Sequence, residues 1–239
     1  QVQPRGALCH SGSVGHAGGD SSTPIPDQAI YRIYSMTKPI VAAMAVILLQ
    51  ENRLHLFDPV ANFISGFKDP IILHSNGTRE KATVPITIEH LLTHRAGLSY
   101  DFLPDCPVGA LYREARLAED GDRSLTDFVN DLAAMPLAFN PGSRWQYSNT
   151  GINTLGRIVE VVSGRSFADF LEERVLLPCG MKDTTFWPSD DQAKRVAKSY
   201  RPNKEGNLEE ARVSIVDGGL SDRRRTPYAS GGLFSTAGD

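Results

Sequence analysis

The stretch 35–52 constrains the fold more than any other part of the chain, because as a helix it is apolar on nearly every side. Its apolar residues recur at helical spacing: Ile40, Ala43, Met44, Ile47 and Leu48. A helix of that kind is typically buried. Pro39 fits only near the start of a helix, since farther along it would remove an N–H group that the helix needs. The pattern therefore predicts a buried central helix that starts near Ser35 and ends near Asn52.

Four more helices are predicted around this one. Each shows apolar residues at helical spacing, and capping residues, glycines or prolines mark the ends. They run over 87–94, from Ser124 to Pro136, from near Thr150 to Gly164, and from Ser166 to the residue before Pro178. Turn-forming dipeptides mark 53–85 as loop, and the Gly-, Ser- and Pro-rich stretch 1–30 reads as loop with at most a remnant strand. The region after 184 alternates short apolar groups with turns, which predicts short strands or long loops.

The composition bounds the class of protein. Of the 239 residues, 41% are hydrophobic and 22% charged, a balance typical of a globular domain with a sizeable core. A net charge of −3 gives no basic face for nucleic acid, and the run Arg223-Arg224-Arg225 is too short for such a patch. No apolar stretch reaches the roughly 18 residues that a membrane span needs. We therefore expect no nucleic-acid partner and no membrane span.

The cysteines form no metal-binding or redox motif. Cys9, Cys106 and Cys179 are far apart and include no Cys-x-x-Cys pair, which argues against a zinc ribbon and a thioredoxin-like site. So few thiols in a chain of this length also argue against a disulfide framework. We expect free, mostly buried cysteines, no metal and no cofactor.

The two ends of the chain indicate that it belongs to a longer one. Gln1 is not an initiator Met, and no basic or apolar leader region follows it. At the other end, 235–239 reads as the start of a helix after which nothing follows. We expect a chain that is incomplete at both ends. The cytoplasm is favoured slightly as its compartment, and the periplasm stays open if a leader has been removed.

Ser35-Met36-Thr37-Lys38 is a Ser-x-x-Lys motif at the start of the predicted central helix. Residues three apart lie on one face of a helix, so the amine of Lys38 can reach the hydroxyl of Ser35. A serine is a poor nucleophile until a neighbouring base takes its proton, and a lysine serves as that base when burial lowers its pKa. The helix N-terminus adds backbone N–H groups and a positive dipole end toward an oxyanion. Ser35 and Lys38 are therefore candidate catalytic residues.

Taken alone, the Ser-x-x-Lys motif is a weak signal, because average serine and lysine usage gives about one chance copy in a chain of this size. A second copy is present at Ser65-Gly66-Phe67-Lys68. That copy lies in a stretch punctuated by Gly and Pro with no apolar helix behind it. We interpret it as accidental.

Tyr147-Ser148-Asn149 is a Tyr-x-Asn motif that occurs once in the sequence. It precedes the helix that begins near Thr150, so it is expected in a loop. A phenol near a lysine ammonium readily becomes phenolate and shuttles protons. The amide of Asn149 can both donate and accept, which suits a bridge between Lys38 and a substrate carbonyl. A second interpretation is a helix cap at Ser148-Asn149 with a tyrosine that only packs.

With both motifs in this order, the chain resembles the serine β-lactamase and penicillin-binding-protein family over roughly 28–239. The resemblance is carried by 31–39, by 90–98 (His-Leu-Leu-Thr-His-Arg-Ala-Gly-Leu), by Pro141-Gly142 ahead of Tyr147, and by 231–236 (Gly-Gly-Leu-Phe-Ser-Thr). Ser-Met-Thr-Lys is most similar to the carboxylesterase branch related to class C β-lactamases, the family VIII esterases. The resemblance implies an acyl-enzyme on Ser35, with Lys38 and Tyr147 as general base and acid and Asn149 in contact with substrate.

The resemblance also implies an α/β (α+β) fold, an antiparallel sheet flanked by helices plus a mainly helical domain. We expect a single β-lactamase-like domain over 1–239 with a helical subdomain at roughly 60–185.

The family's third element is a Lys-Thr-Gly-like or His/Trp-x-Gly strand that supplies one oxyanion N–H. Lys204-Glu205-Gly206 reads as a turn and His10-Ser11-Gly12 lies upstream of Ser35, so neither fits. We expect that strand, with the C-terminal strands of the sheet, beyond Asp239. Without it this fragment would be impaired, because losing one oxyanion donor costs about 10²–10³ in rate.

Two other catalytic patterns are weaker. His90 and His94 have the spacing of a metal pair on a helix, but Glu89 precedes the first histidine instead of following it, and no third ligand is evident. No Gly-x-Ser-x-Gly sequence occurs, which argues against an α/β-hydrolase esterase.

Two classes of function stay open. In the first, the chain belongs to a serine hydrolase that acts on a small-molecule ester or amide. A carboxylesterase of small acyl esters is favoured there, and a β-lactamase or D-alanyl-D-alanine carboxypeptidase would use the same residues. In the second, it is a catalytically silent module that binds a ligand in the retained cleft. The sequence does not determine the oligomeric state.

Overall fold

A computed structural model describes residues 10–18, 23–103, 105–117, 123–211, 213 and 219–239. Within them the chain combines helices with small antiparallel sheets, as the predicted fold class requires. The helices are α1 (Thr37–Gln50), α2 (Ile88–Leu92), α3 (Pro107–Glu114), α4 (Leu125–Ala133), α5 (Asn149–Ser163), α6 (Phe167–Leu171), α7 (Leu177–Cys179) and α8 (Asp190–Ala193). The strands are β1 (Tyr31–Arg32), β2 (Ile71–Leu73), β3 (Arg79–Lys81), β4 (Tyr200–Pro202), β5 (Leu208–Glu210) and β6 (Phe234–Ser235).

Helix α5 lies at the centre of the fold and packs against α1, α2 and α4. Its buried stripe consists of residues at helical spacing: Ile152, Leu155, Ile158 and Val159. The Ser148 hydroxyl caps its start by accepting a hydrogen bond from the N–H of Gly151 at 3.1 Å. Gly164 ends it with φ 73°, in the left-handed region that a residue without Cβ adopts at little cost. This helix confirms the prediction at both ends.

The predicted central helix is shorter and less enclosed than its sequence indicates. A 3₁₀ turn over Tyr34–Met36 leads into α1, which ends at Gln50. Its inner face is buried, whereas Val46 on the outer face is 44% exposed. A run of apolar residues thus predicts that the helix packs against a core, but it does not show which face of the helix stays exposed.

The stretch 53–85, expected to be loop, contains the hairpin β2–β3, in which Ile71 lies opposite Lys81 and Leu73 opposite Arg79. Its strands have three residues each, too few to show an alternating pattern. The turn between them is the one that Asn76-Gly77 predicts, and Gly77 has φ 83°. Helix α3 was also not expected from the sequence. The hairpin β4–β5 confirms the short strands predicted after 184.

The prediction that a helix ends before Pro178 is wrong. The helical run continues from α6 through a π-helical turn, Glu172–Leu176, into α7. In that turn the N–H of Leu177 donates to the carbonyl of Glu172, five residues back. A proline is tolerated where the regular i→i−4 bonding is already interrupted. The helix predicted over 87–94 also ends earlier, at Leu92.

The last described stretch of the chain passes beside the start of α1. Strand β6 pairs with β1, with Tyr31 opposite Ser235. The N–H of Leu233 donates to the Thr37 hydroxyl at 3.2 Å. On its other side, Gly156 of α5 is so close that an added Cβ would lie 2.9 Å from the Cβ of Ala229. Residues 229–235, here called the floor segment, therefore lie between α1 and α5.

Several sequence predictions concern the chain as a whole. Cys106 is a free, half-buried thiol, but Cys179 is free and exposed, so its predicted burial is wrong; Cys9 lies outside the described residues. Lys204-Glu205-Gly206 forms the turn of the hairpin β4–β5. In the described part of the chain no helix has the length and apolar character to cross a membrane. The single domain over 1–239 and its helical subdomain at 60–185 stay predictions.

Candidate active site

Ser35 and Lys38 lie next to each other at the start of α1. Ser35 is exposed in the 3₁₀ turn, whereas Lys38, in the first turn of the helix, is only 7% exposed. The Lys38 Nζ donates to the Oγ of Ser35 at 3.1 Å and to the backbone carbonyl of Ser230 at 2.6 Å. The amine therefore lies between the candidate nucleophile and the floor segment, with a hydrogen-bond acceptor on each side.

The residue before Ser35 has a strained backbone. Tyr34 has φ 44°, in the left-handed region, which costs a residue with a Cβ roughly 1–3 kcal/mol. The strain is held in place because Ile33 donates to the carbonyl of Leu233 at 3.0 Å and Thr37 accepts from the N–H of Leu233. This sharp change of direction between β1 and α1 places the Ser35 hydroxyl at the surface.

Tyr147 reaches the same place from the loop before α5. The Lys38 Nζ lies 4.8 Å from the centroid of its ring. Burial alone would raise the pKa of Tyr147, but hydrogen bonding to Lys38 and Ser35, together with the charge of Lys38, outweighs burial and holds the pKa of the phenol below its ordinary value of 10.0. The three side chains therefore lie together, and their interactions stabilise the phenolate form of Tyr147.

Two asparagines one helical turn apart on α5 lie near this group. The Oδ1 of Asn153 accepts from the N–H of Ser230 at 2.9 Å, so Asn153 holds the residue whose carbonyl binds Lys38. The Oδ1 of Asn149 is buried and has no hydrogen-bond partner among the described residues. An unpaired buried acceptor is costly, which fits a group that a bound molecule would satisfy. Asn149 is also the first residue of α5, after the cap Ser148, so the helix cap of the second interpretation is present, and the contact of Asn149 with substrate stays a prediction.

Replacing each asparagine by alanine should separate these two roles. Asn153→Ala deprives the buried N–H of Ser230 of its acceptor, so we expect a loss of about 1–3 kcal/mol in the free energy of unfolding. Asn149→Ala removes the same atoms from the same helix but breaks no hydrogen bond of the described structure, so its loss should stay within about 0.5 kcal/mol. Urea unfolding of the two variants measures the difference. Equal losses would contradict these assignments.

The other sequence candidates lie elsewhere or accept hydrogen bonds from the backbone. Ser65 and Lys68 of the second Ser-x-x-Lys copy are exposed, in and after a 3₁₀ turn at the surface. The Nδ1 of His90 accepts from the N–H of Thr87 at 3.2 Å and completes the N-cap of α2. The Nδ1 of His94 accepts from the N–H of Ser148 at 3.2 Å. Among the described residues there is no group of three or more His, Cys, Asp or Glu side chains that could hold a metal ion.

Aromatic side chains extend outward from Tyr147. The ring of Tyr100 stacks with that of Tyr147 at a centroid distance of 6.3 Å, and Phe102 contacts Tyr100. The ring centroid of Trp145 lies 6.4 Å from that of Tyr147. Phe102 and Trp145 are 68% and 66% exposed. The group therefore opens onto an apolar surface of planar rings.

Sequence reasoning missed three residues of this site: Ser230, Asn153 and His94. Ser230 contributes a backbone carbonyl, which no side-chain pattern marks, although the Gly-Gly-Leu-Phe stretch after it was singled out for its resemblance to the family. Asn153 shares a helix face with Asn149 four residues earlier, and that spacing was the available signal. His94 suggests a metal pair with His90 or a residue of the helix terminus, and neither interpretation predicts its contacts with the Tyr147 loop.

Comparison with known proteins shows the family to which the chain is similar. A family model described as "Beta-lactamase" matches residues 2–239. Esterase EstB of Burkholderia gladioli is 33% identical over 190 residues, which cover 77% of this chain and 45% of the esterase. The D-alanyl-D-alanine-carboxypeptidase/endopeptidase AmpH of Escherichia coli is 30% identical over 224 residues, covering 92% of this chain and 49% of AmpH.

The solved structures include a similar hydrolase. EstCE1, described as a hydrolase with promiscuous acyltransferase activity, superimposes with a TM-score of 0.77 and 25% identity, over 93% of this chain and 60% of that protein. The chain spans about half the length of the curated relatives it matches.

Proposed function

The chain belongs to the beta-lactamase family, and on that premise we propose that the protein is a serine hydrolase that cleaves small acyl esters through an acyl-enzyme on Ser35. One observation carries the proposal: a single buried amine, Nζ of Lys38, lies 3.1 Å from the Ser35 hydroxyl and 4.8 Å from the ring centroid of Tyr147. Acyl transfer requires a nucleophile, a proton acceptor and a positive charge that stabilises the ionised form of the acceptor.

The first half of the reaction forms the acyl-enzyme. The phenolate of Tyr147 takes the proton of Ser35 while the Oγ forms a bond to the ester carbonyl carbon, and the carbonyl oxygen becomes an oxyanion. The backbone N–H of Ser35, in the 3₁₀ turn that leads into α1, would donate to that oxyanion. When the carbonyl re-forms, the bond to the alkoxy group breaks and the alcohol leaves with the proton from Tyr147. In place of the general-base role that the sequence predicts for Lys38, the amine here supplies the charge that stabilises the phenolate.

The second half returns the enzyme to its starting state. Tyr147, again a phenolate, takes a proton from water, and the hydroxide oxygen attacks the acyl carbon. The bond from this carbon to the Oγ of Ser35 breaks, and Ser35 regains its proton from Tyr147. One proton carrier thus serves as base and acid in turn. Asn149, with its unpartnered Oδ1, would bind a donor group of the substrate in both halves.

The surroundings of the site favour an ester over the alternatives. The rings of Tyr100 and Trp145 lie near that of Tyr147, and they suit an apolar acyl or alcohol group better than the charged terminus of a peptide. The names of EstB and EstCE1 support the same substrate class. A D-alanyl-D-alanine carboxypeptidase, as AmpH is named, would use the same three side chains and is the second candidate.

Steady-state rates on three substrates test the proposal. We expect the protein to hydrolyse short-chain nitrophenyl esters with a higher kcat/KM than a chromogenic cephalosporin or a peptide ending in D-alanyl-D-alanine. A higher value on the cephalosporin or the peptide would overturn the esterase assignment and retain the acyl-enzyme. Absence of turnover on all three by the full-length protein, together with no labelling by a fluorophosphonate probe, would overturn the hydrolase assignment in favour of the silent binding module.

A further inference from the structure

His94 contacts the loop of Tyr147 on both sides of the tyrosine. Its carbonyl accepts from the N–H of Gln146 at 2.9 Å, and its Nδ1 accepts from the N–H of Ser148 at 3.2 Å. Its ring lies 4.5 Å from the ring of Tyr147, centroid to centroid. One residue therefore holds the backbone before and after Tyr147 and also packs on its ring.

The backbone of His94 is what makes this double contact possible. It follows α2 with φ 57°, in the left-handed region, where histidine, asparagine and aspartate are found more often than other residues with a Cβ. That conformation turns both its carbonyl and its ring toward the Tyr147 loop. The edge of the ring also meets Trp145 at 6.2 Å. Non-glycine residues in this region concentrate at functional sites because the surroundings must hold them there.

The contact with Ser148 depends on the protonation of His94. Nδ1 accepts a hydrogen bond only when it carries no proton, so the ring is neutral, with its proton on Nε2. The titratable groups that face the ring are Lys38 from α1 and Tyr147 from the loop before α5. Burial, followed by the charge of Lys38, lowers the pKa of His94 below its ordinary value. The accepting form is thus the form present at neutral pH.

We propose that His94 is a positioning residue that holds Tyr147 over Lys38, and that its protonation in acid releases the tyrosine and inactivates the enzyme. This inference rests on the proposed function of the site. As the pH falls through the pKa of His94, Nδ1 gains a proton and becomes a donor that faces another donor, the N–H of Ser148. The new positive charge also lies beside the ammonium of Lys38. Both effects destabilise the position of the loop in which Tyr147 lies over Lys38.

Three substitutions test this role. His94→Ala removes the acceptor, and we expect kcat to fall by about 10²-fold with KM little changed, since small misplacements of a catalytic group have such effects. His94→Asn keeps an acceptor, tolerates the left-handed backbone and does not titrate. It should restore most of kcat. His90→Asn is the matched control, because the Nδ1 of His90 accepts a backbone N–H in the same way at the far side of α2; it should leave kcat unchanged.

The pH dependence supplies a readout that a purely structural role would not change. Below the pKa values of both His94 and Tyr147, log(kcat/KM) of the wild-type enzyme should rise with a slope of about two per pH unit, and that of His94→Asn with a slope of about one. An unchanged slope in His94→Asn, or wild-type kcat in His94→Ala, would overturn the positioning role alone. A wild-type protein that hydrolyses no ester would overturn the proposed function and this inference together. If His94→Ala fails to fold, the slope of His94→Asn still decides.

Discussion

Ser35→Ala is expected to lower kcat for ester hydrolysis by about 10⁶-fold, the loss that follows removal of the nucleophile in other serine hydrolases. The reason is that the Oγ of Ser35 is the hydroxyl oxygen to which the Nζ of Lys38 donates, so its removal takes away the atom on which the acyl-enzyme forms. Because Ser35 is exposed, its loss should change the free energy of unfolding by no more than about 0.5 kcal/mol. Burst-phase and steady-state kinetics with a nitrophenyl ester measure the effect.

Ser65→Ala is the matched control for this experiment. It removes the serine of the second Ser-x-x-Lys copy, which is exposed and lies outside the group around Lys38. Its kcat should equal that of the wild type. A comparable loss in Ser65→Ala, or ester turnover by Ser35→Ala above the rate of buffer, would mean that the nucleophile has been misassigned.

Tyr147→Phe is the second large effect. It keeps the ring that packs on His94 and Tyr100 but removes the oxygen that carries the proton, so we expect kcat/KM to fall by about 10²–10⁴-fold, the range of general acid–base catalysis. The pKa of Tyr147 is lowered in the folded protein, so its phenolate forms as the pH rises through a value below 10.0. Activity of the wild type should therefore rise with pH through that value, and Tyr147→Phe should lack this rise. If Tyr147→Phe kept the wild-type rate and the same rise in activity with pH, Tyr147 would have no part in the mechanism.

Lys38→Met tests whether Lys38 sets the pH at which the activity rises. Methionine has a similar length but no charge, so the interactions with Lys38 that lower the pKa of Tyr147 are lost. The rise in activity should then move to higher pH, and the rate near neutral pH should fall. A rise at the same pH as in the wild type would show that Lys38 does not stabilise the phenolate.

The local parts of the fold were predictable because their signals lie in short windows. Helix α5 has a serine cap, an apolar stripe and a terminal glycine, and the sequence predicted it at both ends. The start of α1 was predicted closely because a helix accommodates a proline such as Pro39 only near its N-terminus. The strands of β2–β3 are too short to carry a pattern, and the π-helical turn before Pro178 overrides the usual effect of a proline, so these features required the structure.

The candidate site divides in the same way. Ser35, Lys38 and Tyr147 belong to short motifs, and the chemistry of each motif was open to sequence reasoning. What brings the motifs together is the packing of α1 against α5 and of the floor segment between them, which no window of sequence contains. No sequence pattern marks the carbonyl of Ser230, because every residue has a backbone carbonyl. The contacts of His94 with the backbone before and after Tyr147 depend on the left-handed φ angle of His94, which the sequence does not show. The Lys-Thr-Gly-like strand expected beyond Asp239 stays a prediction.

Mass spectrometry of the trapped acyl-enzyme tests the central claim most directly. The protein is mixed with an activated ester or a fluorophosphonate, quenched in acid within the first turnover, digested and mapped. We predict one adduct, on the peptide that contains Ser35, absent from Ser35→Ala and retained in Ser65→Ala. An adduct on any other residue, or turnover of ester without an adduct on Ser35, would contradict the mechanism proposed for this site.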